Sequence, residues 1–288
     1  MIPYAQMKYM DIFGYTQKTE ILMLSVSCII FILVLIWSLR ANKIDINPNK
    51  DFSLFILIFI ICYLSAMVGA RIAFYFDPWN GFRSILEFLN PDPQGLVSYG
   101  ALIGGALGIL LCYLLFKKRL FGVKASRVDS YRLFDAFVIP FSIAIAIFRI
   151  GCFFDGHIVG KPTDLPWCIE VSGNCTHPVA LYYIFLLIII IIVLLLLFWK
   201  PKTEGSFFGR RFDSELSSWF VLAYCSGCIF IELFRLHRSS VPFFVYLVLS
   251  LAAVVNLINN YILLHDRKIK SLEGARELFS GETCCSKE

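Results

Sequence analysis

The sequence predicts an all-α membrane protein, a bundle of seven transmembrane helices with the N-terminus outside and the C-terminus in the cytoplasm. Of its 288 residues, 58% are hydrophobic and only 16% are charged, whereas a soluble domain is about 45–50% apolar and about 25% charged. Seven apolar stretches and an uneven distribution of Lys and Arg between their connections complete the prediction. The composition excludes a water-soluble enzyme, a disordered chain and a nucleic-acid-binding protein.

Each of the seven stretches has the roughly 20 mostly apolar residues that a helix needs to cross a membrane. The first is predicted to be retained, because polar and aromatic residues precede it and no small-residue cleavage pattern follows. Solid apolar runs favour helices over the alternating pattern of barrel strands. The predicted spans are 21–39, 52–76, 98–116, 132–152, 178–199, 215–234 and 241–264.

The basic residues predict the orientation, because cytoplasmic loops carry an excess of Lys and Arg. The connections after the first, third and fifth spans hold thirteen such residues, against six on the opposite side. We therefore predict an outer N-terminal segment at 1–20, a seven-helix transmembrane domain at 21–265 and a cytoplasmic tail at 266–288.

Polar residues inside the spans gather near the predicted outer face. Arg71 closes the second span, Arg149 the fourth, and Glu232 and Arg235 the sixth, while His177 begins the fifth. Ionisable residues within a membrane are costly and are usually functional. A single arginine at a helix end is explained by snorkelling to the interface, but several at one depth favour a shared polar cavity.

Such a cavity suits a phosphate group. A guanidinium presents a rigid fork of donors to phosphate oxygens and stays charged when partly desolvated. Glu232 precedes Arg235 by three residues, so the two side chains share one helical face and the carboxylate can orient the guanidinium.

The third span contains glycines four residues apart, at Gly100, Gly104 and Gly108. This spacing predicts a face on which two helices approach closely. In the fourth span, Asp135 is fourteen residues from Arg149, so it is predicted to be a structural partner at the other end of that helix.

The loop after the fourth span is the most distinctive segment. Gly151, Gly156 and Gly160 permit tight turns, which makes a pocket with backbone donors for an anion plausible. Asp155 and His157 have side chains suited to acid–base chemistry; the alternative is that both are solvated loop residues. Two cysteines farther along the chain, Cys168 and Cys175, share this outer region, and whether they are bonded stays open.

At these residues the chain resembles the prolipoprotein diacylglyceryl transferase family. The resemblance covers most of residues 50–265 and includes the Gly-Ala-Arg at 69–71, the glycine-rich start of the third span, the Arg149–Gly160 loop, the His177-Pro178 pair and the Glu232…Arg235 end of the sixth span.

The resemblance implies a bacterial cytoplasmic-membrane enzyme that moves a diacylglyceryl group from phosphatidylglycerol to the lipobox cysteine of an exported prolipoprotein. It implies phosphatidylglycerol, the prolipoprotein signal peptide and the bilayer as partners, and no metal or cofactor. The implied catalytic residues are Arg149, Arg235, Tyr99 and His157. The implied substrate-binding residues are Arg71, Gly151, Asp155, Gly156, Gly160, His177 and Glu232.

The chain departs from the family pattern at three places. Tyr99-Gly100-Ala101 stands where the family has a histidine and two glycines, Cys152 and Asp155 stand for asparagines, and His157 stands for a glutamate. We hypothesise that Tyr99 donates a hydrogen bond while His157 or the arginine field activates the substrate thiol, because the leaving-group arginines persist.

Three alternatives remain at this point. The chain could be a divergent lipid transferase with another lipid or acceptor, or an inactive relative. A transporter or flippase for an anionic lipid could use the same arginines, but it would be expected to show broken helices and repeat symmetry, and neither is visible. A non-catalytic membrane scaffold would make both arginines and His157 dispensable.

Overall fold

A computed structural model of the chain describes residues 9–12, 15–42, 52–75, 97–121, 127–156, 158–171, 173–199, 215–236 and 240–281. His157, one of the predicted catalytic residues, lies outside these ranges. Within them the chain folds into seven helices and two short hairpins. The helices are α1 (Thr19–Ala41), α2 (Phe52–Tyr75), α3 (Ser98–Phe121), α4 (Arg127–Asp155), α5 (Val179–Trp199), α6 (Glu215–Glu232) and α7 (Ser240–Gly281).

The helices have the length and composition of membrane spans, as predicted. Six of those described, all except α6, contain a segment long and apolar enough to cross a membrane, and α6 is a shorter apolar helix of 18 residues. Backbone groups in lipid must be hydrogen-bonded within the segment, which a helix achieves. The prediction of a helical membrane protein is therefore confirmed, while its orientation stays a prediction.

The hairpins are antiparallel and lie outside the helices. β1 (Tyr9–Ile12) pairs with β2 (Tyr15–Lys18), and β3 (Ile169–Val171) pairs with β4 (Asn174–Thr176). Cys168 and Cys175 form a disulfide across the second hairpin, which answers the question that their sequence left open.

Four helices, α1, α3, α4 and α7, extend beyond their predicted ends. α4 continues through Gly151 to Asp155 and ends at Gly156, whose φ of 71° suits a glycine that terminates a helix. The turn expected at Gly151 is wrong, because apolar residues on both sides continue the helix and the glycine is buried in it. α7 extends to Gly281 and so includes much of the predicted tail.

The glycines of α3 pack directly against α2. A side-chain carbon at Gly100 would overlap the backbone of Gly69, and one at Gly104 would overlap the carbonyl oxygen of Ser65. At Gly108 such a carbon would lie 2.9 Å from the Ser65 Cβ. The close-approach face predicted from the spacing is therefore confirmed, and α2 and α3 form a tightly packed pair.

Gly104→Ala is expected to destabilise the protein by about 1–3 kcal/mol, the usual cost of overpacking, because the Ser65 carbonyl cannot move without distorting α2. Thermal unfolding in detergent measures the effect. Gly105→Ala is the matched control, since its Cβ would meet only Ala66, at an ordinary distance of 3.8 Å. Equal unfolding temperatures for the two variants would contradict the close contact.

Asp135 joins two helices at the end of α4 that is distant from Arg149. Its Oδ1 accepts a hydrogen bond of 2.9 Å from the backbone N–H of Ser217, in the first turn of α6. A carboxylate at this position satisfies a free N–H group and complements the helix dipole. The structural role predicted for Asp135 is confirmed.

Candidate active site

The candidate site lies where α4 and α6 end and α5 begins, and Arg149 and Tyr183 form its centre. The Cζ of Arg149 lies 4.4 Å from the centroid of the Tyr183 ring. A guanidinium over an aromatic face is stabilised by the ring quadrupole, most strongly where water is excluded. Both side chains are buried, so this contact contributes to keeping a cation inside the bundle.

Glu232 connects this centre to Arg235. Its Oε1 accepts a hydrogen bond of 3.0 Å from the Tyr183 hydroxyl and another of 3.2 Å from Nη1 of Arg235. The carboxylate is 3% exposed, whereas the Arg235 side chain is 40% exposed. The contact predicted between Glu232 and Arg235 is confirmed, and much of the Arg235 side chain stays accessible.

More tyrosines and cysteines surround Arg149 than the sequence analysis identified. Tyr224 and Tyr246 lie close enough to interact electrostatically with the guanidinium, as does Cys152 in the next turn of α4. All three are buried. Their polar atoms and aromatic faces therefore replace the water that Arg149 would lose inside the membrane.

Sequence signals mark Tyr224 and Tyr183, but not Tyr246 or Cys152. Tyr224, Cys228 and Glu232 are spaced by four, so they lie on one face of α6. Within the strongly apolar α5, the only side chains with polar atoms are Tyr182, Tyr183 and the terminal Trp199.

An apolar cavity of about 270 Å³ reaches Arg149. Among its described lining residues Arg149 is the only charged side chain. On α4 the lining extends from Phe134 to Cys152, a distance of roughly 27 Å at 1.5 Å per residue. The other walls come from α1, α2, α3 and α6. The cavity is therefore long, apolar and charged at one end.

Tyr99 borders the same region from α3. Its hydroxyl donates a hydrogen bond of 3.2 Å to the backbone carbonyl of Ala73, and its ring packs edge-on against Tyr246 at 6.1 Å. Tyr99 therefore contacts Tyr246, which itself interacts electrostatically with Arg149. Its proposed part in catalysis stays a prediction.

The loop after α4 fixes the position of Arg235. The backbone of Gly160 pairs with that of Arg235, with hydrogen bonds from Lys161 to Phe234 (2.8 Å) and from Leu236 to Val159 (3.1 Å). Through this pairing, the loop after α4 and the segment after α6, which are far apart in sequence, form one surface.

Gly160 and His177 are in direct contact on the other side of this loop. A Cβ at Gly160 would overlap the carbonyl oxygen of His177, and the His177 N–H donates to the Lys161 carbonyl at 3.0 Å. The His177 ring packs against Phe234 at 4.9 Å, and Nδ1 lies 3.1 Å from the Tyr182 hydroxyl. Both residues thus support the segment that contains Arg235.

Two other predicted substrate-binding residues are buried in the bundle. Arg71 is 8% exposed in α2, two residues after Gly69 of the α2–α3 contact. Asp155 is 6% exposed at the end of α4. Their roles stay predictions. Among the described residues, no three His, Cys, Asp or Glu side chains group as metal ligands would.

A family model described as prolipoprotein diacylglyceryl transferase matches residues 18–263 of the chain. The chain belongs to this family. The match includes the whole candidate site, from the cavity wall on α1 to Tyr246 on α7.

Curated relatives of the transferase family are named phosphatidylglycerol–prolipoprotein diacylglyceryl transferase. The relative from Aliarcobacter butzleri is 25% identical over 77% of this chain and 78% of its own length. Those from Finegoldia magna and Chlamydia caviae are 30% and 36% identical, over 41% and 46% of this chain. In each of these last two comparisons the chain spans 44% of the relative's length.

In this member of the transferase family, stability should fall as the pH falls below about 6.5, the ordinary pKa of histidine. Burial and the positive charge of Lys161 lower the pKa of His177, so the folded state favours the neutral ring. The neutral ring therefore contributes to the stability of the fold above the pKa that His177 has in the unfolded chain. This contribution is lost as the pH falls towards the lower pKa that His177 has in the folded protein. The measurement is thermal unfolding in detergent at pH 7.5 and pH 5. His177→Asn should lose less stability than the wild type between these values, and an equal loss would contradict the assignment.

Proposed function

We propose that the protein transfers a diacylglyceryl group from phosphatidylglycerol to the lipobox cysteine thiol of an exported prolipoprotein. The observation that supports this most is the pairing of a long apolar cavity with Arg149 at its end. The family membership supports the reaction class, and the geometry around Arg149 supports the proposed assignment of its residues.

The lipid would bind with its apolar part along the cavity and its phosphate at Arg149. The cavity volume of about 270 Å³ is slightly smaller than the roughly 300–1,000 Å³ usual for ligand pockets. It therefore accommodates part of the lipid, and the remainder would lie in the bilayer. Burying acyl chains gains about 0.8 kcal/mol per CH₂ group relative to water, but little relative to lipid, so the phosphate contacts would determine the binding position.

The reaction forms a C–S bond and breaks a C–O bond. The cysteine sulfur attacks the phosphate-bearing carbon of the diacylglycerol moiety, and the bond from that carbon to the phosphate oxygen breaks. Glycerol phosphate leaves with the electron pair, and the thiol proton goes to solvent or to the leaving group. The phosphate changes from a diester with one negative charge to a monoester carrying up to two. Cations aimed at this developing charge stabilise the transition state more than the ground state.

Arg149 and Arg235 would supply that stabilisation from two sides. Arg149 approaches from inside the bundle, and Arg235, whose side chain is 40% exposed, approaches from the loop surface. The same positive field lowers the pKa of a nearby thiol and raises its thiolate fraction. Asp155 and His157 are proposed to assist the proton transfer, and Arg71 and His177 to help bind the substrates.

The proposed location is the bacterial cytoplasmic membrane, with the site at its outer face. The excess of Lys and Arg in the connections after α1, α3 and α5 supports this orientation. The N-terminus would be outside, and α7 would extend into the cytoplasm. An exported precursor would then reach the site through its signal peptide, which lies in the same membrane.

The direct test is incubation of the purified protein with phosphatidylglycerol vesicles and a lipobox peptide, followed by mass spectrometry. We expect the mass increase of one diacylglyceryl group on the peptide cysteine. A peptide with serine in place of that cysteine is the control. No adduct at any lipid concentration would overturn the proposal, and flipping of the lipid without an adduct would indicate a transporter.

A further inference from the structure

Tyr183 connects the environments of the two arginines. Its ring lies beneath the Arg149 guanidinium at 4.4 Å, and its hydroxyl donates to Glu232 Oε1 at 3.0 Å. The same carboxylate oxygen accepts from Arg235 at 3.2 Å. The Tyr183 ring therefore contacts Arg149 directly, and the Tyr183 hydroxyl is linked to Arg235 through Glu232.

We infer that Tyr183 is a positioning residue that fixes Arg149 and Arg235 relative to each other so that both bind one phosphate. This inference rests on the proposed function. A tyrosine suits the role because its ring is rigid and has only two rotatable side-chain bonds. It is 3% exposed and belongs to a helix of 21 residues, so the ring is fixed against the bundle.

The hydroxyl has a role that ring packing alone does not explain. Glu232 Oε1 receives two hydrogen bonds, one from Tyr183 and one from Arg235. Without the tyrosine hydroxyl, Arg235 would be the sole remaining donor to this oxygen among the described residues. The carboxylate would then bind Arg235 more tightly and withdraw it from the phosphate. Tyr183 thus keeps Arg235 available to the substrate.

The effect should appear in kcat more than in KM. The ground-state phosphate carries one negative charge, which Arg149 alone can bind. The second charge develops only as the C–O bond breaks, so a displaced Arg235 costs mainly transition-state stabilisation. A hydrogen bond to a charged group is worth roughly 1.5–3 kcal/mol, which corresponds to a loss of about ten- to a hundredfold in rate.

Tyr183→Phe tests the inference, since it removes the hydroxyl and keeps the ring under Arg149. We expect kcat to fall about tenfold or more with KM for phosphatidylglycerol nearly unchanged. Tyr113→Phe, which removes a hydroxyl from a half-buried tyrosine of α3 outside the cavity lining, is the matched control and should keep wild-type rates. Rates are compared at a temperature at which thermal unfolding finds every variant folded.

A double-mutant cycle separates positioning from a general structural role. If the hydroxyl acts through Glu232, Tyr183→Phe should cause no further loss in a Glu232→Leu background, so the two effects are non-additive. The inference would be overturned if the rate losses of Tyr183→Phe and Glu232→Leu multiplied in the double variant. It would also be overturned if Tyr183→Phe left kcat unchanged or affected only KM. In each of these cases, transfer by the wild type would still support the proposed function. No transfer by the wild type would overturn both.

Discussion

Arg149→Ala is expected to reduce diacylglyceryl transfer by at least a hundredfold. Removing one preorganised donor from a site of developing charge costs about 10²–10³ in kcat. Arg149 is the single charged side chain among the described residues that line the cavity, so no neighbour there replaces it. Mass spectrometry of the lipobox peptide under single-turnover conditions measures the loss of the adduct.

Two variants make this result specific. Arg149→Lys keeps a positive charge but lacks the planar fork that contacts two phosphate oxygens, so it should retain partial activity. Arg40→Ala removes an exposed arginine from the last turn of α1, outside the cavity lining, and should leave the rate unchanged. Wild-type transfer by Arg149→Ala would mean that the phosphate does not bind at the cavity end.

The membrane spans could be predicted from sequence because the bilayer sets their length. A run of about 20 apolar residues in hydrocarbon must form a helix, because only a helix pairs all backbone groups within the segment. The ends of the spans were less predictable. Gly151 was interpreted as a turn residue, but glycine's preference for turns is worth only about 1 kcal/mol in a helix, and burial between apolar neighbours exceeds it. The end is set at Gly156, where φ is positive.

The charged residues of the site were predictable, and their aromatic surroundings were predictable only in part. Arg149, Glu232 and Arg235 contrast with the apolar sequence around them, as Tyr183 does within α5. Tyr246 does not, because tyrosine is common in hydrophobic cores and at membrane interfaces. The importance of both tyrosines depends on which helices are neighbours, and a single sequence does not contain that information. The pairing of Gly160 with Arg235 has the same origin.

Arg235→Ala is expected to have a second large effect, also at least a hundredfold on transfer. The change removes a cation that would face the phosphate. It also leaves Glu232, which is 3% exposed, without its ionic partner, and an unpaired buried charge costs roughly 3–5 kcal/mol of stability. Activity and unfolding temperature should therefore fall together. The activity of this single variant does not show whether the rate falls because the cation at the phosphate is lost or because the protein is destabilised.

Arg235→Ala combined with Glu232→Gln separates them. The amide occupies nearly the same volume as the carboxylate and carries no charge, so the unfolding temperature should return towards that of the wild type. Transfer should stay low, because the guanidinium is still absent. Lys117→Ala, at an exposed position in α3, controls for removal of a positive charge elsewhere. If the double variant regained wild-type transfer, Arg235 would serve only to neutralise Glu232, and Arg149 would have to stabilise the leaving phosphate alone.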